Sequence, residues 1–201
     1  MQKNEMIIID SSLINEENKS HYLEFYETIF ETINETFRCL YYIDGIKESF
    51  GNYFKPRGYK YEYFFKDIVK MLNQKICINI WKLLLDKGKD SLSIYKMKAF
   101  LRNTFNHTIS EKNIYINPNL EKSVCGMRNA FISHNLHTEV GYTIDTRDLK
   151  PLLFEIYAYF QKLWIQNFVD SSLFISDGYF EGLEQLYKDS VKEAFQGIIP
   201  L

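Results

Sequence analysis

The chain has 201 residues, of which 46% are hydrophobic and 25% charged, a balance that excludes disorder and fits one globular domain. Its formal charge of −2 gives no global attraction to polyanions, so any nucleic-acid contact must come from a local patch. No run of about 18 uncharged apolar residues exists and no secretory leader is legible, so the expected setting is cytoplasmic, with no membrane partner.

The first 19 residues read as an irregular lead-in with a short extended piece at Met6–Ile9, and residues 20–201 as a single helical domain. From Ser20, a plausible N-cap, Tyr22, Phe25, Tyr26, Ile29, Ile33, Phe37, Leu40 and Tyr41 recur at three- and four-residue steps. The acidic pair Glu16–Glu17 before them reads as solvated surface. The stretch GNYFKPRG at residues 51–58 reads as a loop. A second helical stripe runs from Tyr61 to Leu84, with Gly88 as its C-terminal cap. A shorter helix starts at Ser91 or Ser93 and ends near Arg102.

Asn117 followed by Pro118 is a start signal of two parts, a capping side chain and then a proline at the first helical position. That helix is expected to run to about His134. A further stripe from Leu149 to Trp164 carries Pro151, which the helix tolerates in its first turn. A last helix covers Tyr179 to Phe195. Strand alternation is missing, so the fold class is all-α, an up-and-down bundle of five to six helices. Cys39, Cys77 and Cys125 lie far apart inside apolar patterns, without CxxC spacing, and read as small core residues in a reducing compartment.

The chain lacks the common phosphate-loop, dinucleotide, zinc-protease and serine-hydrolase motifs. His134 and His137 stand at HxxH spacing, but no third ligand accompanies them, so neither a metal nor another cofactor is expected. What remains is CGMRNAFISHNLH at residues 125–137. Arg128, the polar Asn129 and His134 sit there on one capped helix. Spacing alone does not single them out, because RNTFNH at residues 102–107 repeats it. Context does: Arg102 stands at a helix end and His107 in polar loop sequence, whereas Arg128 lies in a rigid apolar helix. Six residues place His134 about 120° around that helix from Arg128 and about 9 Å along it. One helix does not bring the two together. Two copies crossing near a twofold axis would, and Gly126 would permit close approach.

MRNAFISHN resembles the signature of the HEPN superfamily: an arginine, a polar residue, several further residues and a histidine near the end of a helix. The segments ICINIWKLLLDKGKDSLSIYKMKAFL and TIDTRDLKPLLFEI resemble its AbiU-type abortive-infection branch. The resemblance implies a metal-independent endoribonuclease acting as a homodimer on RNA, within a phage-defence or toxin system, with an antitoxin or another defence protein as a further partner. It assigns Arg128, Asn129 and His134 to the site. Superfamily members that carry a tyrosine soon after the histidine are modified there; this chain has His137 at that place. Lys112, Lys122 and His137 are candidate substrate contacts. Other members of the superfamily are non-catalytic dimerisation or binding modules, which gives the alternative function.

The chemistry suits these residue types. RNA supplies its own nucleophile, the 2′-hydroxyl. A histidine near its ordinary pKa accepts that proton, and the planar fork of an arginine binds two phosphate oxygens.

Overall fold

The computed structural model describes residues 6–50, 62–132, 146–168 and 178–196, with only the backbone at residues 62, 130–132 and 146–148. Six α-helices carry the described residues: α1 (Glu16–Phe50), α2 (Glu62–Ile80), α3 (Ile94–Phe105), α4 (Pro118–Ile132), α5 (Thr146–Gln161) and α6 (Tyr179–Gln196). A 3-10 turn at Ser11–Leu13 precedes α1, and a π-helical turn at Trp81–Leu85 extends α2. The described residues hold no sheet, only a lone parallel bridge from Ile7 to Ile165.

Helix α1 begins four residues before the expected Ser20. Its cap is Asn15, whose side-chain oxygen accepts the Asn18 amide at 2.8 Å. Glu16 and Glu17 then occupy the first turn, where carboxylates favour the positive end of the helix. The helix is long because its apolar stripe continues through Ile43, Ile46 and Phe50.

It is the hub of the molecule and packs against α2, α3, α5 and α6. Phe37 stacks on Phe180 of α6 with ring centroids 4.1 Å apart and meets Phe154 of α5 at 4.9 Å. Gly45 permits the close α1–α6 crossing, since a Cβ there would sit 3.1 Å from the Lys188 Cα. Lys188 Nζ then bridges Glu48 of α1 at 2.6 Å and Glu184 of its own helix at 3.0 Å. Glu184 also takes Lys150 of α5 at 2.6 Å.

The lead-in is tied to the far end of α5. Ile7 donates to Trp164 and accepts from Gln166, both at 2.9 Å, and Ile7 and Ile9 are buried in the main core. Tyr22 fixes the same turn from within α1. Its hydroxyl donates to the Leu163 carbonyl at 3.1 Å and accepts the Ile165 amide at 2.8 Å. Burial raises the pKa of this hydroxyl far beyond the ordinary tyrosine value, so it remains a donor.

Other expectations for the helices also need correction. The α2 ladder closes at Asp86 rather than Gly88. The Asp86 amide donates to the Trp81 carbonyl at 2.9 Å, the five-residue span of a π turn. The Asp86 carboxylate then accepts the Gly88 amide at 2.9 Å, so Gly88 belongs to the turn that follows. Helix α3 starts after Ser93, as one of the two expected caps, but continues past Arg102 to Phe105. It ends where Asn106 takes the left-handed conformation at φ 52°, a position that asparagine tolerates. Pro151 lies in the second turn of α5, not the first. Its ring removes one ladder hydrogen bond there.

Cys39 and Cys77 are buried, and Cys125 is half-buried. Burial pushes the thiols of Cys39 and Cys77 up to about 11 and about 12, so neither is a ready nucleophile. No helix among the described residues is long and apolar enough to cross a membrane.

Candidate functional site

Helix α4 starts where its sequence says it should. The Asn117 side chain accepts the Asn119 amide at 2.9 Å, and the Asn117 carbonyl takes the first helical bond, from Glu121, also at 2.9 Å. Proline at position 118 gives up an amide that no helix would have used. The helix lies against α2 and the π turn. Only Val124 among its described side chains is fully enclosed; Leu120 and Met127 join the core in part. At the crossing the Cys77 thiol donates to the Met127 sulfur at 3.3 Å. Gly126 is half-buried on this helix.

Arg128 sits near the end of α4, half-buried. Its guanidinium carbon lies 4.3 Å from the centroid of the Trp81 ring, over its face. Trp81 is the first residue of the π turn. That turn buries Leu83 and Leu84, while Trp81 stays half-exposed and supports the arginine. A guanidinium on an indole face gains about 0.5–1 kcal/mol where solvent reaches it and about 2 kcal/mol when desolvated. Nη1 donates to the Asn129 side-chain oxygen at 3.0 Å. Among the described residues the buried Nε has no hydrogen-bond partner. An unpaired buried donor on a charged group is costly, so this nitrogen marks an arginine held short of full satisfaction.

Asn129 is exposed and turns its oxygen toward Arg128. This contact gives it a definite task, holding the arginine fork. Lys122 is exposed on the same helix, seven residues before Asn129, which puts the two on one stripe roughly 10 Å apart. Lys112 is exposed on the segment leading into α4. His134 and His137 lie outside the described residues. Of the expected site, the structure joins Arg128 to Asn129 and sets Lys122 on the adjoining solvent face.

Sequence reasoning missed Trp81. It read that residue as one more apolar position of the second helix. The signal available was a tryptophan at the end of a helix stripe, with no way to foresee the arginine across from it.

Among the described residues no group of three or more His, Cys, Asp and Glu could hold a metal ion. The arrangement at Arg128 suits an anion: a delocalised cation, half-buried, oriented by a ring face and an amide oxygen. No protein-family model matches the chain, and no curated protein or solved structure matches it either.

Proposed function

We propose that the chain is a metal-independent endoribonuclease of a phage-defence or toxin system, built as a HEPN-like up-and-down bundle and active as a homodimer. The observation that carries this reading is Arg128, held on the Trp81 face and by Asn129 near the end of a capped helix. The resemblance of MRNAFISHN to the HEPN signature supports it independently. Arg128 binds the phosphate at the cleavage point and stabilises the charge that builds on its oxygens. Asn129 is the positioning residue for that arginine. His134 takes the proton of the 2′-hydroxyl as its oxygen attacks phosphorus. The bond to the 5′-oxygen breaks, and that oxygen leaves with a proton from water or from the second copy's imidazolium. The products are a 2′,3′-cyclic phosphate and a 5′-hydroxyl. DNA lacks the nucleophile and is inert. A dimer through α4 would supply what one helix does not, since six residues of continuous helix would set Arg128 and His134 about 120° apart around its axis.

The test is RNA cleavage in EDTA. Wild type cleaves, and His134→Ala loses about 10²- to 10⁴-fold in rate, the usual share of a general base. Equal rates in the two proteins sink the assignment.

The formal charge of −2 favours a second reading, a non-catalytic HEPN-like module that dimerises or binds a nucleotide or protein partner. Purified protein that leaves diverse RNAs intact, also when its genomic neighbours are supplied, would support that reading instead.

A further inference from the structure

Helices α2 and α4 meet along one seam. On the α2 side Asn73, Cys77, Ile80 and Leu84 recur at four- and three-residue steps and form a single stripe. Cys77, Ile80 and Leu84 are buried, and Cys77 touches Met127 of α4. A second contact gives the direction of the crossing. Side chains on a helix lean toward its N-terminus, and the Arg128 guanidinium reaches Trp81, one turn beyond Cys77. Moving back along α4 is therefore moving forward along α2, so the two helices run antiparallel. Asn73, one turn before Cys77, stands toward the C-terminal end of α4.

The side-chain oxygen of Asn73 is buried, and among the described residues it accepts no hydrogen bond. The donor one turn along its stripe, the Cys77 thiol, is directed to the Met127 sulfur at 3.3 Å. Burial also keeps that thiol neutral, with its pKa pushed up to about 12. Lys75 and Asn79 belong to another face of α2, where both bind the Glu35 carboxylate of α1, at 3.0 and 3.1 Å. A buried carbonyl oxygen without a donor is costly, and protein interiors keep few of them. A leucine of similar size would avoid that cost.

Helix α4 is described to Ile132, and His134 follows two residues later. Seven residues are close to two helical turns. Continued helix would therefore return His134 to the stripe of Met127, about 10 Å further toward the start of α2. Asn73 lies about 6 Å from Cys77 in that same direction. The remaining offset of about 4–5 Å along the seam is within reach of two side chains.

We infer that Asn73 is a positioning residue for His134, its Oδ1 accepting the imidazole Nδ1–H. The inference deepens the ribonuclease reading and rests on it for the task of the imidazole. With the proton held on Nδ1, the lone pair of Nε2 is free for the 2′-hydroxyl, as a general base requires. The same contact steadies the imidazolium that forms once Nε2 takes the proton. A neutral amide does this without the rise in pKa that a carboxylate would cause, so the base stays unprotonated near neutral pH. Asn129 then holds the arginine from its own helix, and Asn73 holds the base from the neighbouring one.

Long-range nitrogen–proton NMR of the full chain tests the contact directly, with His134→Gln assigning the signal. The neutral imidazole of His134 is expected to carry its proton on Nδ1. In Asn73→Leu the proton should move to Nε2, the form free imidazole prefers. Asn73→Asp keeps an acceptor, so Nδ1–H should persist while the pKa of His134 rises by about one unit, a tenfold change in proton affinity. A thermal melt accompanies both variants, and Asn73→Asp carries the test if Asn73→Leu does not fold. RNA cleavage is the second readout. In Asn73→Leu kcat should fall about tenfold or more with KM little changed. In Asn73→Asp the acid limb of the pH–rate profile should move to higher pH by the same unit, because the base works only when neutral. A wild-type proton on Nε2, a His134 signal unmoved by both variants, or an unchanged kcat in Asn73→Leu overturns the inference. If the wild type leaves RNA intact, the ribonuclease reading falls, and the tautomer still decides whether Asn73 holds His134.

Discussion

Helices α1 and α4 both carry apolar stripes, yet they serve different ends. Helix α1 is enclosed by four neighbours, and its stripe is buried from Tyr22 to Phe50. Helix α4 rests on α2 and the π turn and fully buries one described side chain, Val124. A helix enclosed on nearly all sides spends its sequence on packing. A helix supported from one side keeps a face for other uses. On α4 that face holds Asn129 and Lys122, with Arg128 at its edge.

The largest expected effect breaks the α1 side. Phe37→Ala removes a fully buried ring stacked on Phe180 and in contact with Phe154. Chemical denaturation is expected to show a loss of about 3–5 kcal/mol. RNA cleavage should fall only with the folded fraction. Cleavage that collapses in protein still fully folded would mean that the α1 core does more than hold the frame.

Tyr22→Phe is next. It leaves the Ile165 amide and the Leu163 carbonyl without this partner in a buried setting, at a cost of about 1–3 kcal/mol. The Ile7 and Gln166 amides, bonded around the same turn, should exchange with solvent faster than in the wild type. Unchanged exchange there would show that the lead-in is held independently of α1.

The smallest stability effect belongs to the α4 side. Trp81→Leu removes the ring beneath Arg128 and is expected to cost no more than about 1 kcal/mol of stability, because the stack is half-exposed. RNA cleavage should fall about tenfold or more, since the freed guanidinium loses its fixed direction. A stability loss of 2 kcal/mol or more, with cleavage tracking only the folded fraction, would turn Trp81 into another core residue and erase the contrast between the two helices.

Much of the frame was legible along the chain. The start of α4 is written in two adjacent residues, Asn117 and Pro118, because capping is local chemistry. The α1 stripe is written in a 3.6-residue rhythm. The start of α1 was harder. Residues 16–19 are polar, so no apolar rhythm marks them as helical, and Ser20 competes with Asn15 as a cap. Both can accept an amide, and the choice falls to the one whose following turn also gains from Glu16 and Glu17. The continuation of α3 to Phe105 was hidden for a similar reason. The stretch after Arg102 has modest helix propensity, but Phe105 is buried beside Leu101 and Phe100, and tertiary packing overrides propensity.

The candidate site divides the same way. Composition alone says which residue types stand on α4, and a fixed rise and turn per residue says that an arginine and a histidine six positions apart would not meet on one continuous helix. The sequence also determined the all-helical class, through periodicity. The widening of the α2 ladder into a π turn at Trp81, the placement of that ring under Arg128, and the shared cavity lined by Lys98 and Arg102 emerge once the helices pack. Those features depend on which distant side chains share the same space. Stacking and charge balance act over a few ångströms in three dimensions, and the order of residues along a chain does not fix those distances until the helices have packed.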